Sequence, residues 1–72
     1  MDKNNLMLIY KLYEFKLMNK LTMPQFAKLC GISTYRLNKI IKGDTISILS
    51  NVDKLAKAMN VEPADLIDVE AL

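Results

Sequence analysis

A short central stretch of the chain carries two helix-start signals, each followed by a glycine. Thr22 and Gln25 have the spacing of a capping box, in which each side chain bonds the backbone N–H of the other residue. Gly31 can end the helix that they begin, because glycine readily adopts the positive φ of a tight turn. Ser33 can cap the next helix, and Gly43 can end it. Two helices joined by only three or four residues have the spacing of a helix-turn-helix, which determines the middle of the fold.

The rest of the chain predicts three further helices and no strand. The first helix covers about residues 4–19, and a fourth helix has Ser47 as its cap and ends at Asn60. Pro63 fits the first turn of a last short helix over about residues 64–69. Five short helices around one core make an all-α fold.

Length and composition agree with a small folded domain. Of the 72 residues, 51% are hydrophobic, and only two are glycine and two proline, which rules against disorder. We expect one domain over residues 1–72, with the helix-turn-helix at about 22–42. No apolar run approaches the length of a membrane span and no signal peptide is recognised, so no membrane contact is expected. The single cysteine, Cys30, fits a reducing cytosol, and its place predicts a small buried hydrophobe.

Charge is distributed unevenly along the chain, although the net charge is only +2. Residues 1–19 sum to +1, and residues 44–72 carry six acids against two lysines. Residues 20–43 carry five cations and no acid. A basic middle followed by an acidic end is the kind of asymmetry that indicates a local electrostatic role for the basic part.

The third predicted helix separates into an apolar and a polar face at 100° per residue. Leu37, Ile40 and Ile41 fall within one arc, and Arg36 lies at the edge of the other. The polar face consists of hydrogen-bond donors, which are Thr34, Tyr35, Asn38, Lys39 and Lys42. A helix fits the DNA major groove, where Asn and Lys can address base edges and Lys and Tyr can reach phosphates. The absence of an acid from this face is what such a role requires.

The chain from residue 21 to residue 66 resembles the lambda-repressor-like, or Cro/repressor, helix-turn-helix family. The residues that carry the resemblance are LT at 21–22, FAKLCGIS at 26–33, LNKIIKG at 37–43 and LAKAMNV at 55–61. The resemblance implies that the third helix lies in the major groove and that the protein acts as a dimeric transcriptional repressor.

The resemblance also implies roles for individual positions. The family's base-reading sites correspond to Thr34, Tyr35, Asn38 and Lys39. Phosphate contacts are expected from Thr22, Gln25, Arg36 and Lys42, with Lys28 as a further cation. Two positions depart from the family's pattern: Met23 stands where a phosphate-contacting glutamine is common, and Asp44 stands where the loop often carries a basic residue. Both departures reduce the expected contact with the DNA backbone.

An enzyme is not expected. The chain has no histidine, no phosphate-binding glycine loop and no cluster of metal ligands. We therefore predict no catalytic residue, no metal, no cofactor and no small-molecule ligand.

The first helix carries more apolar surface than one inward face needs. Leu8, Leu12 and Phe15 form an inward stripe, and a second apolar strip runs along its flank, made of Leu6, Ile9, Tyr10, Tyr13 and Leu17. This strip is a candidate homodimer interface, and the alternative is the apolar end of the chain, Ile67, Val69 and Leu72. The strip could instead be covered by that same end within one chain, and the two tyrosines could simply pack.

The sequence thus predicts sequence-specific binding of double-stranded DNA by a small cytoplasmic transcriptional regulator, a homodimeric repressor. The alternative is a protein-interaction module, such as an antitoxin-like or adaptor domain that uses the helix-turn-helix fold. The operator sequence and the regulated gene are left open.

Overall fold

The computed structural model describes residues 3–67. This part of the chain forms five helices and no strand: α1 (Lys3–Met18), α2 (Met23–Cys30), α3 (Thr34–Ile41), α4 (Thr45–Met59) and α5 (Pro63–Leu66). The predicted all-α fold with five helices is confirmed.

Two of the predicted helix starts are present as hydrogen bonds. The Thr22 backbone N–H donates to Gln25 Oε1 at 2.8 Å, and the Gln25 N–H donates to Thr22 Oγ1 at 3.3 Å, which completes the capping box of α2. At α3, the Arg36 N–H donates to Ser33 Oγ at 3.0 Å. These side chains satisfy N–H groups that have no partner within the helix.

The predicted start of α4 at Ser47 is wrong. The helix begins at Thr45 with Asp44 as its N-cap, and Asp44 Oδ1 accepts a hydrogen bond of 3.2 Å from the Ser47 N–H. Aspartate caps as well as serine does, and Asp44 comes directly after the turn at Gly43, so the helix begins three residues earlier than expected.

Four helices end in the same backbone motif. After α2, α3 and α4, the residues Gly31, Gly43 and Asn60 have positive φ, as predicted for helix-ending positions. Each is followed by a residue whose N–H returns to a carbonyl of the last turn, for example Asp44 N–H to Lys39 O at 3.1 Å. This is the Schellman arrangement. At the end of α1 the left-handed residue is Lys20, at φ 54°.

The last helix is shorter than predicted. It begins with Pro63 in its first turn, as expected, but it is a single turn that ends at Leu66. Ile67 has extended backbone angles, and its side chain is buried. The remainder of the predicted helix, residues 68–69, lies outside the described residues.

The core is built from the inward faces of all five helices. Its fully buried side chains are Leu8 and Leu12 from α1, Phe26 from α2, Leu37 and Ile40 from α3, Ile48 and Leu55 from α4, and Leu66 from α5. Phe15 is half-buried, and its ring lies 5.5 Å from the ring of Phe26. The predicted inward stripes of α1 and α3 are therefore in place, and α3 is held against the core along one side.

Two buried asparagines make hydrogen bonds, one between α1 and α4 and one within α4. Asn5 Nδ2 in α1 donates to Thr45 Oγ1 in α4 at 2.9 Å, and Asn51 Nδ2 donates to Ser47 O at 2.7 Å. The first bond joins the start of α1 to the residue next to Asp44, and so it helps to fix the loop between α3 and α4. Among the described residues no helix is both long and apolar enough to cross a membrane.

Candidate nucleic-acid interface

The face of α3 that points away from the core carries the predicted base-reading residues. Tyr35, Asn38 and Lys39 are exposed, with Tyr35 at 72%, and Thr34 is half-buried. Leu37 and Ile40 on the opposite face have no exposed surface. Packing and capping therefore hold all four predicted residues on one outward side of a short, well-anchored helix.

Lys39 has two neighbours on this surface. Its Nζ lies 5.4 Å from the centre of the Tyr35 ring, one helical turn earlier, which is a cation–π distance. The same Nζ lies 3.9 Å from Asp44 Oδ2. The pairing with Tyr35 could have been read from the i,i+4 spacing. The pairing with Asp44 could not, because it depends on how the chain turns at Gly43.

The phosphate-contacting side chains predicted at the start of α2 are exposed, whereas Met23 between them is not. Thr22 and Gln25 are exposed, and their capping bonds use the Gln25 Oε1, which leaves its NH₂ group free to donate outward. Met23, in contrast, is half-buried and packs against the core. Met23 is therefore a packing residue at the position where the family resemblance leads us to expect a phosphate-contacting glutamine.

Three of the predicted cations come from α3 and its cap. Arg36, Lys39 and Lys42 are exposed, and Lys42 is the C-cap residue of the helix. Lys28 lies elsewhere: it lines a groove between α2 and α4 together with Lys54, Lys57 and the exposed Leu29, and no residue of α3 lines that groove. This grouping of Lys28 with the lysines of α4 was not predicted, because it depends on how α2 packs against α4.

Comparison with known families supplies the deciding observation. The model of the Cro/C1-type helix-turn-helix DNA-binding domain matches residues 9–71, which is most of the chain. The chain belongs to this family. No curated protein and no solved structure matches it significantly. The resemblance inferred from the sequence motifs is thereby confirmed, and the all-α fold is that expected of a small domain of this family.

This chain also has a groove on α1, and the described residues that line it all lie outside the helix-turn-helix. All five residues of the predicted strip line it, together with Glu14 and Lys16, and its volume is about 480 Å³. Tyr10 and Tyr13 are 72% and 52% exposed, and Leu17 is 80% exposed. The described part of the chain therefore leaves both tyrosines largely exposed, and the segment after Ile67 that could cover them lies outside the described residues.

Two of the predicted interface residues are placed differently from expectation. Ile9 is only 8% exposed and belongs to the core, so it can form the floor of the α1 groove but not an exposed ridge. Ile67, proposed as part of an alternative interface, is buried, because the extended residue after α5 turns back onto the core. The other members of that alternative, Val69 and Leu72, lie outside the described residues.

The remaining chemistry of the domain is structural. Cys30 is buried at the end of α2, and this burial raises the pKa of its thiol to about 11, so the thiol stays protonated at neutral pH. This fits the expected role as a small core residue rather than a nucleophile. Within residues 3–67, no group of three or more His, Cys, Asp or Glu side chains is arranged to hold a metal ion.

Proposed function

We propose that this chain acts as one domain that binds double-stranded DNA sequence-specifically and represses transcription. The observation that carries the proposal is the geometry of α3, whose Leu37 and Ile40 are buried while Tyr35, Asn38 and Lys39 face outward as hydrogen-bond donors. A helix held in this way can enter the major groove without losing its packing against the core.

The side chains on α3 divide between base edges and the DNA backbone. Asn38 is suited to bidentate contact with adenine, and Lys39 to donation to guanine O6 or N7. Tyr35 can pack against a thymine methyl group, and Thr34 can bond either base type. The side chains that we expect to contact phosphates are Arg36, Lys42, Thr22 and Gln25.

A homodimer reads more base pairs than a single recognition helix can. A single recognition helix reads only a few base pairs, which is too little to select one site in a genome. Two copies related by a two-fold axis double the readout, with half-sites about 34 Å apart. Repression then works by occlusion of promoter DNA in the cytoplasm.

The α1 groove is the interface that we propose for this dimer. Its exposed members Leu6, Tyr10, Tyr13 and Leu17 are spaced four, three and four residues apart, the spacing of a two-helix seam. In an antiparallel pair of α1 helices, Tyr10 of one copy lies opposite Tyr13 of the other, and Leu6 lies opposite Leu17. The surface is thus self-complementary about a two-fold axis.

A protein-interaction module is the second candidate, because the same apolar groove could hold another protein instead of a second copy. Fluorescence anisotropy on random duplex at low salt separates the two functions, since every DNA-binding protein of this type retains non-specific affinity. Binding to random duplex, followed by enrichment of one motif from a random duplex library, supports the repressor. No binding at low salt favours the interaction module.

A further inference from the structure

Lys39 and Asp44 are joined twice, through the backbone and through their side chains. The Asp44 N–H donates to Lys39 O at 3.1 Å as part of the turn that ends α3. The Lys39 ammonium lies 3.9 Å from Asp44 Oδ2. The position of Asp44 relative to the last turn of α3 is therefore set by a backbone contact as well as by a side-chain contact.

The position of Asp44 is itself tightly determined. Its other carboxylate oxygen, Oδ1, accepts the capping hydrogen bond from the Ser47 N–H, so each oxygen has its own partner. The next residue, Thr45, accepts the hydrogen bond from the buried Asn5. The carboxylate is thus fixed by α4 on one side and by α1 through its neighbour, while it remains partly exposed beside the outward face of α3.

The Lys39 ammonium lies within ion-pair distance of this carboxylate and within cation–π distance of the Tyr35 ring. A free lysine at a DNA-facing position can reach either a base edge or a phosphate, because its stem is flexible and its ammonium is a point charge. Here the ammonium lies near the Asp44 carboxylate and the Tyr35 ring, both of which attract a cation. A lysine ammonium has three N–H donors, so at least one remains for DNA. It can therefore bond guanine without leaving Asp44.

The negative charge of Asp44 acts in the opposite sense on the DNA backbone. A carboxylate next to the groove-facing helix repels phosphates, and it lowers the net positive charge that Lys39 presents to them. Random DNA is bound almost entirely through phosphates, whereas a cognate site is also bound through bases. A fixed carboxylate at this position therefore weakens random binding more than cognate binding.

We propose that Asp44 is a positioning residue that directs Lys39 to a base edge and raises the ratio of cognate to random DNA affinity. This rests on the proposed function, because it assumes that α3 reads DNA. The proposal gives a role to Asp44, which stands in the loop after Gly43 where the family resemblance leads us to expect a basic residue.

Asp44→Asn is the primary test, because asparagine caps a helix as well as aspartate does and removes only the charge. Asp53→Asn is the matched control: it makes the same change of net charge at an exposed position of α4. Cognate and random duplex affinities are measured for both variants by anisotropy over a series of salt concentrations, using the motif selected by the wild-type protein. Thermal unfolding checks the fold, and Asp44→Ser, which also caps without a charge, is a second variant.

Relative to Asp53→Asn, we expect Asp44→Asn to raise affinity for random duplex by roughly threefold, in line with the strength of an exposed ion pair. Cognate affinity rises less, so the ratio falls. The log–log salt slope on random duplex steepens by about 0.9 per bound monomer, because the released Lys39 neutralises one more phosphate. In a Lys39→Gln background the substitution at Asp44 has a smaller effect, because the ammonium that it positions is gone.

An equal gain on both duplexes, or an undiminished effect of Asp44→Asn in the Lys39→Gln background, would overturn this role for Asp44 and leave DNA binding standing. A wild-type protein that binds no duplex, or that enriches no motif, would instead overturn the proposed function together with the inference. The two failures are therefore separable in one set of titrations.

Discussion

Asn5 and Thr45, forty positions apart in sequence, are joined by a hydrogen bond of 2.9 Å between Asn5 Nδ2 and Thr45 Oγ1. Asn5 is buried near the start of α1, and Thr45 is the first residue of α4. The bond therefore connects the helix with the apolar groove to the loop that carries Asp44. It is one of two hydrogen bonds that buried asparagines make in a mostly apolar core.

Loss of this bond should destabilise the fold. Thr45→Val keeps the side-chain shape but leaves the buried amide of Asn5 without its partner, which we expect to cost about 1–3 kcal/mol in the free energy of unfolding. Asn5→Ala removes the amide as well and should cost about as much, with part of the loss due to a small cavity. Urea denaturation of both single variants and the double variant measures the coupling. Strictly additive losses would show that the bond contributes nothing.

The end of α1 offers a stabilising substitution. Lys20 has φ 54°, a conformation that costs an L-residue roughly 1–2 kcal/mol. Lys20→Gly should stabilise the protein by about 0.5–1 kcal/mol, because relief of that strain outweighs the extra backbone entropy that glycine loses. Gly31→Ala is the matched reverse change. An added Cβ there meets nothing within 4 Å at φ +73°, so only backbone strain opposes it, and we expect a loss of about 1 kcal/mol. A destabilised Lys20→Gly variant in thermal unfolding would contradict this.

Much of the fold could be predicted because its signals are local. The capping box at Thr22 and the stops at Gly31, Gly43 and Asn60 each depend on residues within one turn of the helix end. Where two local signals compete, sequence does not decide: Asp44 and Ser47 can both cap α4, and the aspartate does so.

The contacts that we did not predict from the sequence depend on the path of the chain between the helices. Nothing near Lys39 in the sequence indicates that its ammonium faces Asp44 across the turn, and nothing indicates that Asn5 meets Thr45. Ile9 is a similar case, because an α1 flank residue becomes core only once the neighbouring helices are placed. Helical periodicity assigns faces, but it does not say what covers them.

Phosphate contacts should make DNA binding strongly dependent on salt. Lys42 and Arg36 are expected to neutralise phosphates in each monomer, which gives a log–log slope near −0.9 for each phosphate. Lys42→Ala should lower affinity about equally on cognate and random duplex and flatten the slope by about 0.9 per bound monomer. Lys57→Ala removes the same charge from α4, outside the predicted contacts, and should leave the slope unchanged. Affinity that does not vary with salt would rule the DNA-binding proposal out.

Base reading should be concentrated at Asn38, which is exposed on the outward face of α3. Asn38→Ala is expected to cost about 1–3 kcal/mol of binding free energy on the cognate site and much less on random duplex. Because the side chain faces away from the core, the free energy of unfolding should change little. Anisotropy titrations on the two duplexes provide the comparison. Equal losses on both would reassign Asn38 to a backbone contact.

The α1 groove should control assembly. Tyr13→Glu combined with Leu17→Glu places two like charges from each copy in the proposed seam, where they would be desolvated without a partner. Both side chains are exposed in the isolated domain, so the variant should keep its helical circular dichroism and its thermal unfolding transition. We expect it to sediment as a monomer and to lose cooperative binding to a palindromic site.

A double substitution on another exposed apolar surface separates this effect from that of added charge. Leu29→Glu with Leu49→Glu introduces the same two carboxylates at residues that are 53% and 45% exposed, outside the α1 groove. This control should remain dimeric. If the Tyr13 and Leu17 variant also stays dimeric in sedimentation, the interface lies on another surface. If it unfolds while the control does not, the strip on α1 stabilises the domain itself. A dimer that reads DNA with two-fold symmetry would then need a different contact between the copies.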